Sequence, residues 1–284
     1  MSTIQDIIPH RSGRPHALNI RLLRLAGGRA PLWTELAAIG WLFWLYDVVN
    51  DSAPLRHALA LRNAAAVLKL EQSLHLAPEL TLNRWLATHH TLALIASYYY
   101  FLAHAVVTFG LLAWLWWRRP QLYRRLRTQL VIVNLIAFAI FWLYPLAPPR
   151  MLTSLGYIDV VARSHALISW HSGALVHNAD QLAGMPSLHV AWAAWSALAL
   201  WRLHPRRAVA PLAIAYPLLT AAVVITTGNH YLLDVFAGAT VTLAALALQT
   251  GPSRAWRVAR RATTATPHHR EKQTAANPHA AVER

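Results

Sequence analysis

Six apolar windows of roughly 20 residues follow one another along the chain, the length a helix needs to cross a hydrocarbon core about 30 Å thick. They run near Pro31 to Val49, Thr91 to Trp117, Leu130 to Leu146, Leu188 to Leu203, Ala208 to Thr227 and Tyr231 to Gln249. The last two cannot be one element. A continuous helix from Ala208 to Gln249 would be about 60 Å long, so the chain must turn at Gly228-Asn229. The composition agrees with a membrane class: 56% of the 284 residues are hydrophobic and 13% charged, whereas soluble domains carry about 25% charge. The expected fold is all-α, a polytopic bundle of six transmembrane helices with outward interfacial helices. A basic segment over residues 1–30, a membrane domain over 31–250 and a disordered basic tail over 251–284 complete the expectation.

The net charge of +15 raises nucleic-acid binding, which the distribution of the charge argues against. Arg11, Arg14, Arg21, Arg24 and Arg29 precede the first window. RRPQLYRRLR separates the second from the third, RLHPRR the fourth from the fifth, and RAWRVARR follows the sixth. With six crossings these segments share one side. Of the 26 Lys and Arg, only Arg56, Arg62, Lys69, Arg84, Arg150 and Arg163 fall opposite, leaving 20 on the first side. The positive-inside rule then places both termini in the cytoplasm. There are no cysteines and hence no disulfide or thiol chemistry. The first 30 residues lack a signal-peptide pattern, so the amino terminus is expected to be retained. Arginine outnumbers lysine 24 to 2, a bias of high-GC bacterial genomes, which implies a plasma membrane with the opposite face outside.

Two outward segments are long, as functional loops tend to be. Asn50 to His90 reads as a helix opened near Pro54 and stopped before Pro78, with Arg62 and Lys69 on one face, then a shorter helix, TLNRWLATHH. This pair lies on the outer surface as a spacer or as a grip on substrate. Ala147 to Pro186 is polar and reads as a loop or lid. After Gly251 the tail turns basic, then rich in Thr, Pro, His and Gln, too polar to fold.

An ionisable residue within a membrane span needs a partner, and Asp234 finds His230 four residues earlier. On a helix both share a face. The carboxylate would hold one imidazole nitrogen as N–H and leave the other as base or nucleophile, unless the pair merely caps a helix. GMPSLH, residues 184 to 189, opens the fourth window. Ser187 and His189 fall in its first turn, which is either an anion seat or an ordinary capped helix entry. In YPLAPPRM, residues 144 to 151, prolines stop the third window and Arg150 follows, as a phosphate donor or a snorkelling anchor. The loop charges alone put Arg150, Ser187, His189, His230 and Asp234 on the same outward surface. Two histidines, an aspartate, a serine and an arginine suit phosphoryl transfer without an obligatory metal or other cofactor. His230 would attack phosphorus, Asp234 orient it, His189 protonate the leaving oxygen, and Arg150 and Ser187 hold the phosphate. A transporter or a two-histidine, one-carboxylate metal protein is the rival of another class, although transporters place polar groups nearer mid-bilayer. His104 and Glu35, deeper in other windows, read as helix-contact residues.

GMPSLH and GNHYLLDVFAG resemble the second and third motifs of the type 2 phosphatidic acid phosphatase superfamily. With YPLAPPR and RNAAAVLKLEQSLHLAPEL they are similar to its inositolphosphotransferase branch, over roughly residues 50 to 245. The resemblance implies a phosphohistidine on His230, with His189 as general acid and Asp234 as the orienting group. The chain departs from the usual pattern in three places. Leu143 and Met151 flank Arg150 where a lysine and a proline are usual, Val223-Val224 replace Ser-Arg, and Leu188 replaces a glycine. Two phosphate-binding cations are thus missing, which favours a monoanionic diester over a dianionic monoester. The expected activity is transfer of a phospho-headgroup, plausibly phosphoinositol, from a phospholipid to a lipid hydroxyl or water. A lipid phosphate or isoprenoid diphosphate phosphatase is the alternative, with Arg62, Lys69, Arg84 or Arg163 supplying charge. The expected partners are membrane lipids, as donor and acceptor.

Overall fold

In a computed structural model of the chain, which describes residues 29–51, 56–164, 182–203 and 209–264, the regular structure is helical and no strand forms among the described residues. The helices are α1 (Leu32–Asp51), α2 (His57–Ser73), α3 (Glu79–Ala87), α4 (His90–Arg118), α5 (Pro120–Leu143), the single turn α6 (Val160–Arg163), α7 (Leu188–Leu203), α8 (Ala210–Thr226) and α9 (Leu232–Thr264). Four of them are long and apolar enough to cross a membrane: α4, α5, Leu32–Val49 of α1 and Leu232–Gly251 of α9. α7 and α8, of 16 and 17 residues, reach only about 24 to 26 Å at 1.5 Å per residue.

Two boundaries differ from the sequence reading. The third window was placed from Leu130, yet α5 starts at Pro120. Proline at the first helical position has its φ preset and no N–H to lose. Tyr123, Leu126, Leu130 and Val133 then recur at helical spacing and are buried, so RRPQLYRRLR is mostly the first turns of a helix with Arg124 and Arg125 exposed. At the other end α9 runs past Gly251 to Thr264, where a disordered tail was expected. Its Ala and Arg are strong helix formers. Residues 265–284, the 165–181 segment read as loop or lid, and the basic N-terminal segment up to 28 lie outside the described residues.

α7 is the centre of the bundle. It packs most extensively on α8, then on α9, α4 and α5. Trp195 is wholly buried there and donates from Nε1 to the Leu126 carbonyl at 2.9 Å. The approach of α9 to α7 depends on Gly238, where a Cβ would stand 2.4 Å from the Ser187 carbonyl oxygen. α1 lies at the edge. Its upper half packs Leu42, Leu45 and Tyr46 on Ala137, Phe138 and Phe141 of α5. The residues at its foot are tied to the end of α4, where Trp116 Nε1 donates to Ala30 O at 3.0 Å and Arg29 to Trp117 O at 2.9 Å. Large apolar side chains such as Trp33, Ile95, Val106 and Leu218 stay exposed around the bundle, the surface a helix presents to lipid.

α2 and α3 form the pair of helices foreseen between the first two windows. α2 buries Ala60, Ala64, Val67, Leu68 and Glu71, a stripe of 3.6-residue period, and leaves Arg62 and Lys69 exposed. Asn83 of α3 fastens both neighbouring segments. Its side chain donates to Ile158 O and Thr226 O and accepts from Ile158 N. The end of α8 is thereby held against α3 and the segment at Ile158.

Candidate active site

The α8–α9 turn reverses at Gly228, whose φ of 77° is a left-handed conformation that costs glycine little. A Cβ there would also sit 2.9 Å from Asn83 Nδ2. This is the turn expected at Gly228-Asn229. His230 follows it and precedes the first residue of α9 by two positions, so it is not on a common helix with Asp234, as the spacing had implied. The pair meets nonetheless. His230 Nδ1 lies 3.5 Å from Asp234 Oδ2 because Asp234 reaches back over the helix entry to accept from Tyr231 N at 2.9 Å, the return half of a capping box.

The closer partner of His230 is a backbone carbonyl. Nδ1 stands 2.8 Å from Gly184 O, an atom that only accepts, which assigns the proton of the neutral ring to Nδ1 and the lone pair to Nε2. Gly184 is itself fixed, its N–H donating to Leu146 O at 3.1 Å. His230 is 5% exposed and Asp234 fully buried.

His189 is the second residue of α7. Ser187 is the N-cap, its Oγ accepting from Val190 N at 3.4 Å, and its own N–H donates to Asp234 O at 3.1 Å. That bond locks the entries of α7 and α9 together. The His189 ring centre lies 5.9 Å from that of His230. It stacks on Tyr100 at 4.3 Å and meets the edge of His104 at 4.3 Å. Arg150 sits in a short 3-10 turn, Pro149–Met151. Its N–H donates to Gly228 O at 2.8 Å, its Nη1 to Asn229 Oδ1 at 2.6 Å, and its Nε faces Asp159 Oδ2 at 3.5 Å. The five residues singled out from sequence thus gather around the entries of α7 and α9. Among the described residues Arg150 is the only buried lysine or arginine. Arg84, one of the cations considered for extra charge, is taken by the Gly156 and Leu155 carbonyls.

Sequence reasoning did not find Glu71 and Glu79. Both are fully buried and reach the start of α9, where Glu71 Oε1 accepts from Leu233 N at 2.7 Å and Glu79 Oε1 from Leu232 N at 2.9 Å. With Asp234 on Tyr231 N, three carboxylates satisfy the first N–H groups of α9, which no partner inside the helix can reach. The positive end of the helix dipole suits them. Burial pushes the Glu71 carboxyl up to about 8, with Glu79 and Asp234 adding repulsion, and burial likewise raises Glu79. Glu71 Oε2 and Glu79 Oε2 are left without a partner, and one proton on the pair relieves both. Their sequence signal was faint: two acids on the buried face of an interfacial helix pair. Among the described residues no group of three or more His, Cys, Asp or Glu is placed to hold a metal ion.

A helical bundle with membrane-length apolar helices, carrying two imidazoles, an aspartate and an arginine at one end, defines a class of membrane proteins with a polar site at the bundle rim. The particular family follows from comparison: the chain belongs to the PAP2 superfamily, whose model matches residues 65–248, well over half of the chain. No curated protein and no solved structure matches it. The matched span contains Glu71, Arg150, Ser187, His189, His230 and Asp234, and membership is consistent with a phosphatase or phosphotransferase.

Proposed function

We propose that the protein is an integral membrane phosphotransferase that moves a phospho-headgroup, with phosphoinositol as the headgroup to test first, from a phospholipid to a lipid hydroxyl or to water. The observation that carries this reading is the pairing of His230, its Nε2 lone pair free, with a second imidazole 5.9 Å away and with Arg150 bonded to the turn just before it. In the first half-reaction His230 Nε2 attacks phosphorus and the bond to the lipid alcohol breaks. His189 gives its proton to the departing oxygen. In the second, the acceptor hydroxyl returns a proton to His189 as its oxygen displaces the histidine. Gly184 O and Asp234 carry the positive charge that builds on His230 in between. Arg150 Nη2 and the α7 entry at Ser187 would face the equatorial oxygens.

A single buried cation suits a monoanionic diester better than a dianionic monoester, which favours a phospholipid donor over lipid monophosphates. The six-crossing arrangement, with both termini in the cytoplasm and the site on the outer face of a bacterial plasma membrane, remains part of this reading: each apolar window falls on a helix, and six crossings would put the basic segments on one side. The test is phosphatidylinositol labelled in its headgroup, offered with and without ceramide. Label is expected in a new lipid or in soluble inositol phosphate, and the His230→Ala variant is expected to lose at least roughly a thousandfold, as removal of a nucleophile does. Full turnover by the variant would overturn the mechanism. Conversion of monophosphate lipids alone would move the assignment to the phosphatase alternative.

A further inference from the structure

Between α1, α4, α5 and α7 lies a cavity of about 300 Å³ whose walls include Ile39, Leu42, Phe109, Leu130, Val131 and Phe138. One end is formed by His189 beside Tyr100 and His104, the other by Glu35, Tyr123 and Arg127. The second end is closed by bonds: Tyr123 Oη donates to Glu35 Oε2 at 2.7 Å and Arg127 Nε stands 3.6 Å from the same oxygen. On α1 the lining runs from Glu35 to Tyr46, about 17 Å along the axis at 1.5 Å per residue. A volume of about 300 Å³ over that length leaves a cross-section of about 18 Å², room for one hydrocarbon chain.

The slot has a way in. α1 is tied to α4 at its foot and to α5 along its upper half. Phe43, within that upper half, lines the slot while 54% exposed, so the slot opens at Phe43 towards the lipid-facing surface. The family match begins at residue 65, so α1, one wall of the slot, lies before it.

We propose that this slot binds the hydrocarbon chain of the lipid alcohol whose oxygen exchanges a proton with His189, and that Glu35, Tyr123 and Arg127 form the floor that limits chain length. The inference rests on the phosphotransferase reading for the identity of that alcohol. Its geometry is independent: His189 stands between the slot and His230, so an oxygen held at His189 directs its chain away from the nucleophile and into an apolar channel of matching length. The buried Glu35 carboxylate and its half-buried partner Arg127 at the floor favour excluding hydrocarbon over accepting it, because a chain pressed against them would strip their hydrogen bonds without replacing them.

The experiment compares acceptor alcohols of increasing chain length, with Ala38→Trp filling the slot one turn above Glu35 and Ile214→Trp on the exposed face of α8 as a control. For Ala38→Trp the ratio of long-chain to short-chain turnover is expected to fall by roughly tenfold or more, the loss when about two methylene groups leave an apolar site. Ile214→Trp should leave that ratio unchanged. An unchanged ratio in folded Ala38→Trp overturns the slot. A second arm needs no turnover: an alcohol with a photoreactive group near its chain end, in phosphatidylcholine vesicles, is expected to label α1 and α5 around Ile39 and Val131, and less so in Ala38→Trp. Labelling confined to outward residues such as Leu212 and Leu218 overturns it. If wild type converts no chain length yet the slot is labelled, the phosphotransferase reading fails and the binding site stands.

Discussion

Glu71 supports the candidate site from outside it, because it holds the Leu233 amide at the start of α9 while fully buried. Its folded-state value of about 8 lies above the ordinary 4.5, so the folded chain keeps a proton that the unfolded chain gives up. The stability linked to that proton is whole below about pH 4.5 and is lost as pH rises through about 8. Glu71→Gln keeps the acceptor for Leu233 and cannot ionise. Its thermal midpoint in detergent should fall less than that of wild type over this window, and parallel curves would contradict the assignment. Glu71→Ala strips the amide of its partner and should cost about 1–3 kcal/mol below about pH 4.5, and less as pH rises through about 8. At this scale the sequence was informative about His230 and Asp234, since an acid and an imidazole in apolar sequence demand a partner. It was silent on Gly184, because a carbonyl oxygen carries no residue signature. It was equally silent on Glu71 and Glu79, whose burial comes from packing two interfacial helices on the end of a helix more than 150 positions away.

The entries of α7 and α9 are a single element in practice, joined by the Ser187 N–H to Asp234 O bond and by close approach at Gly238. Gly238→Ala would place a Cβ 2.4 Å from Ser187 O and 3.2 Å from Ala191 N, both backbone atoms that yield only if the helices separate. The cost should be about 1–3 kcal/mol, as overpacking typically is. Turnover should fall more than stability implies, by on the order of a hundredfold, since His189 and His230 would part by a fraction of an ångström to 1 Å. Comparing unfolding midpoints with turnover for this variant checks the coupling, and a loss of stability with unchanged turnover would refute it. Helix existence was readable from apolar length in all six windows. The start of α5 was missed because a basic run was taken as loop, although Pro120 and the spacing of Tyr123, Leu126 and Leu130 already mark a helix.

The whole molecule is a bundle centred on α7, with α2 and α3 laid across one end and the site between them. Charge distribution and apolar length were enough to foresee helices, a membrane and the shared surface of Arg150, Ser187, His189, His230 and Asp234. The slot beside α1 was not foreseen, because it is made by four helices whose lining residues are ordinary apolar ones; only Glu35 and His104 stood out, as contacts. In the proposed reaction, covalent transfer through His230 is the step that joins this architecture to its chemistry. The direct measurement is to incubate solubilised protein with phosphatidylinositol labelled on phosphorus, without acceptor, quench in alkali and map the labelled peptide. The account predicts acid-labile label on His230, absent in His230→Ala and discharged by a lipid alcohol. Steady turnover with no label on the protein, or label retained in His230→Ala, would contradict it.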